Sequence, residues 1–227
     1  MKRGGVLLAG GIGSRFGAEK PKQFLPLLGR AVLDYSLEVL LLETDVLCVV
    51  CHRDWMDELK FLLHWRDDLI VVEGGSTRQE SVFRGLSMLA SKGVDVVAIH
   101  DGARPLLTQR LCQRGWEKLR YSIAAIPVVP VHQTVAYVHD GHIQLYAERK
   151  NLVAIQTPQF FRFDMIMQAH EKARQEGIND LTDDSQLLQK EGFCVDTIDG
   201  DPWNIKITLP EDILLAEAYL SQGGVRR

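Results

Sequence analysis

After a short apolar run the chain reads Ala9-Gly10-Gly11-Ile12-Gly13-Ser14-Arg15-Phe16-Gly17, followed by Lys20-Pro21-Lys22-Gln23-Phe24-Leu25. Closely spaced glycines let the backbone approach a ligand and aim successive N–H groups at phosphate oxygens. Arg15 and Lys22 form a cationic pair suited to offset the charge of a triphosphate. The dinucleotide pattern G-x-G-x-x-G fails, because Phe16 stands three residues after Gly13, and no G-K-[ST] closes a P-loop. Hydride transfer and P-loop hydrolysis therefore lose support. Taken alone, the stretch also reads as a tight turn with solvated cations.

Three further segments could share in that chemistry. Gly74-Gly75-Ser76-Thr77-Arg78-Gln79-Glu80-Ser81 lies between a predicted strand and a predicted helix, so its small residues and N–H groups could crowd a flat nucleobase. It also reads as a helix start capped by Ser76 or Thr77, with Glu80 completing a capping box. Ile99-His100-Asp101-Gly102-Ala103-Arg104-Pro105 puts a carboxylate just past an apolar strand, where a phosphate-bound cation commonly finds a ligand, and Asp101 is the candidate. His100 reads as a packed, hydrogen-bonded histidine. Lys206, between Ile205 and Ile207, would face opposite to them on an alternating strand and point into a cleft. Thr182-Asp183-Asp184 places polar groups at another element end.

The elements that must position these residues follow from periodicity. Val6–Ala9, Val46–Cys51, Leu69–Val72, Val94–Ile99 and Ala124–Val129 read as buried strands. Helical spacing appears at Leu33, Leu37 and Leu40, at Met56, Leu59 and Leu62, at Val82, Leu86 and Leu89, and over Arg162–Gln175, Thr182–Lys190 and Pro210–Leu220. Such alternation predicts an α/β fold: a Rossmann-like, mostly parallel sheet with helices on both faces and ligands at the carboxyl ends of the strands. Pro130–Tyr146 breaks the rhythm and predicts a hairpin turning at Asp140-Gly141. We read it as a protruding β-arm spanning about 130–150, whose Val135, Tyr137, Ile143 and Leu145 would need a second subunit to cover them. A homodimer is the expectation, within a single domain spanning 1–227.

Composition narrows the classes. With 227 residues, 46% of them hydrophobic and 25% charged, the chain suits one folded domain. A net charge of −4 gives no reason to expect a nucleic-acid partner. The N-terminal apolar run is too short for a signal or a membrane span, so a cytoplasmic protein without membrane attachment is expected. Cys48 and Cys51 make a C-x-x-C spacing inside an apolar run, without the second pair a zinc site wants, and read as buried thiols in a reducing compartment.

From Val6 to Leu220 the chain resembles the cytidylyltransferases that make 4-diphosphocytidyl-2-C-methyl-erythritol in the non-mevalonate isoprenoid pathway. The resemblance rests on the glycine loop followed by R-(x)6-P-K-Q-F-L at Arg15 to Leu25, and on G-G-x-x-R-x-x-S-V-x-x-G-L at Gly74 to Leu86. It continues with H-D-x-A-R-P at His100 to Pro105, Q-T-P-Q at Gln156 to Gln159 with Arg149 at the family separation, Thr182-Asp183-Asp184 and Asn204-Ile205-Lys206-Ile207-Thr208. Gln133 stands where the family often has aspartate, and Gly10 where alanine is frequent. The resemblance implies transfer of CMP from CTP to 2-C-methyl-D-erythritol 4-phosphate, with Mg2+ or another divalent cation. Arg15, Lys22 and Lys206 would be catalytic, and Ala9, Gly10, Gly11, Gly75, Ser76, Ser81, Asp101 and Gly102 would hold the nucleotide, with Asp101 on the metal. Arg104, Thr134, Arg149, Thr157 and Thr182 would hold the polyol phosphate, Arg149 coming from a partner's arm. The glycine-loop wording is also similar to ribitol-5-phosphate cytidylyltransferases. From another class, a nucleotide-binding module without catalysis would share the fold; retention of Arg15, Lys22, Asp101 and Lys206 argues against it.

Overall fold

A computed structural model describes residues 1–11, 20–63, 66 and 69–223. In chain order the strands are β1 (Arg3–Ala9), β2 (Pro26–Leu27), β3 (Arg30–Ala31), β4 (Val46–Cys51), β5 (Ile70–Glu73), β6 (Val96–Asp101), β7 (Ala124–Pro130), β8 (Ala136–His139), β9 (His142–Tyr146), β10 (Val153–Ile155), β11 (Gln159–Arg162) and β12 (Asp196–Asp199). The helices are α1 (Val32–Glu43), α2 (Met56–Leu62), α3 (Arg78–Ala90), α4 (Gln109–Lys118), α5 (Phe163–Gln175), α6 (Ser185–Lys190) and α7 (Pro210–Ser221).

The main sheet runs β10-β7-β11-β6-β1-β4-β5, with β12 also paired to β7. Strands β6, β1, β4 and β5 are parallel, β11 runs antiparallel between β6 and β7, and β10 is antiparallel on β7. The expected mostly parallel sheet with helices on both faces is therefore present, with antiparallel strands added on one side. Side chains of a strand alternate between faces. Leu7, Val49 and Cys51 accordingly pack with Leu33, Leu37 and Leu40 of α1 and Leu111 and Trp116 of α4. Val6, Cys48 and Val50 pack on the other face with Val82, Leu86 and Leu89 of α3 and Ile166 of α5. Cys48 and Cys51 thus point to opposite faces, and burial pushes both thiols up to about 12. They share no site.

This architecture brings loops to one edge. Leu8 pairs with Asp101 and Ala9 with Cys51, so the chain following Ala9 and the end of β6 emerge side by side at the carboxyl ends of parallel strands. Gly74 donates its N–H to the Cys51 carbonyl at 2.7 Å, which draws the loop after β5 to the same edge.

Strands β8 and β9 form a separate two-stranded sheet, joined at Asp140 and Gly141 with φ of 50° and 78°. Two consecutive left-handed residues suit the twist of a tight hairpin, and Asp-Gly supplies them at low steric cost. Tyr137, Val138, Leu145 and Tyr146 are each 62% exposed. The hairpin is narrower than expected, since Pro130 closes β7 and β8 begins only at Ala136. Two other expectations need correction. Residues 205–207 pair in no strand, and Ile207 gives its N–H to the Ala103 carbonyl of a loop at 2.8 Å. The helix expected from Thr182 begins at Ser185, where the Asp183 carboxylate accepts the Ser185 N–H at 2.9 Å.

Candidate active site

Asp101 is the hub of the strand-end edge. It is 8% exposed, and both carboxylate oxygens are engaged: Oδ1 lies 3.3 Å from Arg78 Nε and Oδ2 2.6 Å from Lys206 Nζ. Burial alone would push its pKa up, but the charges of Arg78, Lys206 and Arg104 and the bond from Lys206 outweigh burial and hold the carboxyl well below the usual range. Lys206 reaches it because Ile207 is fully buried against α7 and Ile205 is partly buried, which turns the lysine outward. The alternation expected for this segment holds although no strand forms.

Arg78 opens α3, whose cap is Thr77: its Oγ1 accepts the Glu80 N–H at 3.0 Å. Its other end meets Asp184, Nη1 to Oδ2 at 2.7 Å, and Asp184 is only 1% exposed. Burial would lower the guanidinium pKa, but Asp184 and Asp101 together raise it. The sequence reading gave Arg78 no role, although it stands in the quoted G-G-x-x-R motif. Asp184 went equally unassigned.

Behind Asp101 the backbone is fixed by Thr157, whose Oγ1 accepts the Asp101 N–H at 3.1 Å and sits 3.1 Å from His100 Nδ1. Thr157 is 5% exposed, and its hydroxyl braces the frame of the site. His100 is fully buried, as expected of a packed histidine, and burial, reinforced by Arg104, lowers its pKa to about 4. Gly102 is held in the same frame. Its N–H goes to the Leu8 carbonyl at 2.9 Å, and a Cβ there would sit 2.5 Å from Leu33 Cδ1. Arg104 donates from Nη1 to the Asn204 carbonyl at 2.8 Å, and Asn204 Nδ2 donates to the Thr157 carbonyl at 2.8 Å. One bonded group therefore holds Asp101, Arg78, Arg104, Thr157 and Asn204, with Lys206 on its exposed side.

The loop after β5 spends its donors internally. Gly75 gives its N–H to Ser81 Oγ at 3.0 Å, and Ser76 gives both N–H and hydroxyl to the Glu80 carboxylate at 2.8 and 2.9 Å. Glu80 folds back under Gly75, where a Cβ would lie 2.3 Å from it. On the other side of the edge, Ala9, Gly10 and Gly11 are joined to the Lys22 turn by Gln23, which the sequence reading passed over. Arg15 lies outside the described residues.

Thr134 and Arg149 are exposed beside the hairpin, where Arg149 Nη1 donates to the His132 carbonyl at 2.9 Å. Among the hydrogen bonds of the described residues, neither joins the Asp101 group. Thr182 is also exposed, two residues before Asp184. Pro130, Val131, His132, Glu148, Arg149 and Lys150 border an open depression of about 620 Å³ at the base of the hairpin.

Among the described residues no group of three or more His, Cys, Asp or Glu is arranged to hold a metal ion. A lone ionised carboxylate nevertheless suits magnesium, which keeps several waters and takes substrate phosphates as ligands. The chemistry available here is electrostatic: one carboxylate ringed by Arg78, Lys206 and Arg104, beside a glycine loop, can hold a polyanion and neutralise charge that develops on it.

Known proteins share this plan. The sequence model of the 2-C-methyl-D-erythritol 4-phosphate cytidylyltransferases matches residues 5–222. A protein of that name from Caldicellulosiruptor bescii is 37% identical over 226 residues, covering 98% of this chain and 99% of the relative. A bifunctional IspD/IspF enzyme from Nitrobacter hamburgensis is 38% identical over 219 residues, 95% of this chain and 54% of that protein, so the chain spans about half the length of such bifunctional relatives. The crystal structure of 4-diphosphocytidyl-2C-methyl-D-erythritol synthase from Anaerococcus prevotii superposes with a TM-score of 0.83 at 31% identity, over 97% of this chain and 98% of that one. The match runs through both sides of the strand-end edge, glycine loop and Lys206 segment alike, and on this ground the chain belongs to the 2-C-methyl-D-erythritol 4-phosphate cytidylyltransferase family.

Proposed function

We propose that the chain, acting as one unit, transfers CMP from CTP to the phosphate of 2-C-methyl-D-erythritol 4-phosphate and releases pyrophosphate. The observation that carries this reading is Lys206 at 2.6 Å from Asp101 on the exposed side of a buried, cation-ringed carboxylate, beside the glycine loop. A phosphate oxygen of the acceptor attacks the α-phosphorus of CTP in line; its new P–O bond replaces the bond to the bridging oxygen, which leaves with pyrophosphate. A phosphate monoester is largely ionised near neutral pH, so positioning and charge compensation suffice without a strong general base. Lys22, Lys206 and Arg15 neutralise phosphate charge, and Arg78 and Thr157 hold Asp101 ready. Asp101 would hold a divalent cation such as Mg2+, which when bound supplies charge neutralisation on the phosphates.

Arg104, Thr134, Arg149, Thr157 and Thr182 remain the proposed acceptor-binding group, with Arg149 supplied across a homodimer. The exposed apolar side chains of β8 and β9 support that assembly. Tyr137→Lys with Leu145→Lys is expected to give a monomer by sedimentation velocity with acceptor KM raised; a double variant that stays dimeric sinks the arm interface. A reducing, cytoplasmic setting suits four free cysteines, and no described helix is long and apolar enough to cross a membrane.

The reaction is tested by pyrophosphate release from purified protein with CTP and Mg2+, offering methylerythritol phosphate and ribitol phosphate in parallel. Release with the first acceptor, abolished by a chelator, is the expected result. Release with ribitol phosphate alone would replace the acceptor assignment, and CTP binding without release would favour a non-catalytic module.

A further inference from the structure

We infer that Gln23 is a positioning residue for the nucleotide, setting the peptide edges of the glycine loop and holding the Lys22 turn in register with them. The inference rests on the cytidylyl-transfer reading above and deepens it at the nucleotide side.

Gln23 is 3% exposed, and its Nε2 donates to the Ala9 carbonyl at 2.5 Å and to the Gly11 carbonyl at 3.1 Å. A primary amide nitrogen carries two N–H donors, so both are spent on this one loop. In a planar trans peptide the C=O and N–H point to opposite sides. Holding the Ala9 carbonyl inward therefore turns the Gly10 N–H of the same peptide away from Gln23.

Among the described residues, packing does not explain Gly10 or Gly11. A Cβ built on Gly11 meets no described atom within 4 Å, and one on Gly10 comes no closer than 3.5 Å to any described atom, an ordinary contact. Neither has a φ in the left-handed region. Nothing in the described fold demands glycine at these positions, and the open space over them leaves room for a ligand's approach. Gln23 supports that loop from beneath.

Gln23 also lies on the same three-residue turn as Lys22. The turn, Lys22–Phe24, is closed by the Phe24 N–H on the Pro21 carbonyl at 2.9 Å and anchored by Phe24 stacking on Trp55 at 5.8 Å. One side chain, 12 residues from Gly11 in the chain, thus ties the backbone of the glycine loop to the turn that carries Lys22. Misplacement by about 1 Å can cost on the order of a hundredfold in an oriented reaction.

The test is Gln23→Met, which keeps the volume and removes both donors, read by calorimetric CTP affinity, KM for each substrate and melting temperature. Leu89→Val, in the core remote from the loop, is the control for a merely structural loss. The expected result is a CTP Kd and KM raised by about tenfold or more, with acceptor KM within about twofold. The control should lower the melting temperature and leave CTP affinity unchanged. If Gln23→Met does not fold, Gln23→Asn, too short to reach both carbonyls, should show the same one-sided rise to a smaller degree. CTP affinity within about twofold of the unchanged protein, or a parallel rise of both KM values, overturns the inference. If the unchanged protein binds CTP but releases no pyrophosphate, the transfer reading fails while the affinities still decide the role of Gln23. If it does not bind CTP at all, both fall.

Discussion

A Lys206→Met enzyme is expected to retain its fold and to lose on the order of a hundredfold or more in kcat, the scale seen when a transition-state electrostatic donor is removed. Its ammonium lies 2.6 Å from Asp101 and its side chain is 40% exposed, so it can turn toward a bound phosphate without leaving a buried cavity. Asp101 keeps Arg78 on its other oxygen, and a partly exposed pair contributes little to stability, so the melting temperature should change by only a few degrees. Two consequences separate catalysis from binding. If Lys206 acts on charge that grows in the transition state, kcat and kcat/KM fall together; a rise in KM alone would make it a ground-state anchor. The check is steady-state pyrophosphate release beside a thermal melt. Turnover within about tenfold of the unchanged enzyme, at native melting temperature, removes Lys206 from the catalytic group.

How far these roles were legible in the sequence depends on the kind of signal. Strands β1, β4, β6 and β7 were readable because they are buried runs with β-branched residues, and β4 came out at Val46–Cys51 to the residue. The Asp140-Gly141 turn was readable because its chemistry is local. Helix α4 was missed: its buried residues Leu111, Cys112, Gly115 and Trp116 form a narrow stripe among six charged or polar positions, and Gly115 is a poor helix former. Its glycine is explained only in three dimensions, where a Cβ would lie 2.2 Å from Phe160. Strand β11, Gln159–Arg162, was missed because four residues inserted between β6 and β7 are buried by pairing that no local pattern announces. The same division runs through the site. Asp101 and Lys206 could be placed by position on their segments, whereas the burdens on Arg78, Thr157 and Gln23 come from partners 106, 56 and 14 residues away. Even the apparent donors Gly75 and Ser76 proved to be spent on Ser81 and Glu80, which only the folded loop reveals.

Arg78→Met is expected to be the most destabilising change at the site. The arginine is the shared cation of two buried carboxylates, Asp101 and Asp184, and the latter also lies 3.3 Å from the fully buried His170. Removing one partner of a buried pair leaves uncompensated charge, which costs about 3–5 kcal/mol; the lower end applies because a quarter of the Arg78 side chain is exposed. The pH dependence identifies the cause. Both carboxylates titrate below their ordinary range in the folded protein, despite burial that pushes the other way. Their contribution is therefore fully present above the unfolded carboxylate value of about 4 and is lost as pH falls through the lower folded values. Without Arg78 the folded values rise, so the acid-unfolding midpoint should move to higher pH, and the deficit relative to the unchanged protein should shrink as the carboxylates protonate. Arg78→Lys should recover part of the neutral-pH stability, because an ammonium supplies the charge but cannot span both carboxylates with one planar fork. Denaturant melts across pH 3–7 decide the matter: a deficit that stays constant over that range would assign the loss to packing, and Asp101 would then owe its low pKa chiefly to Lys206.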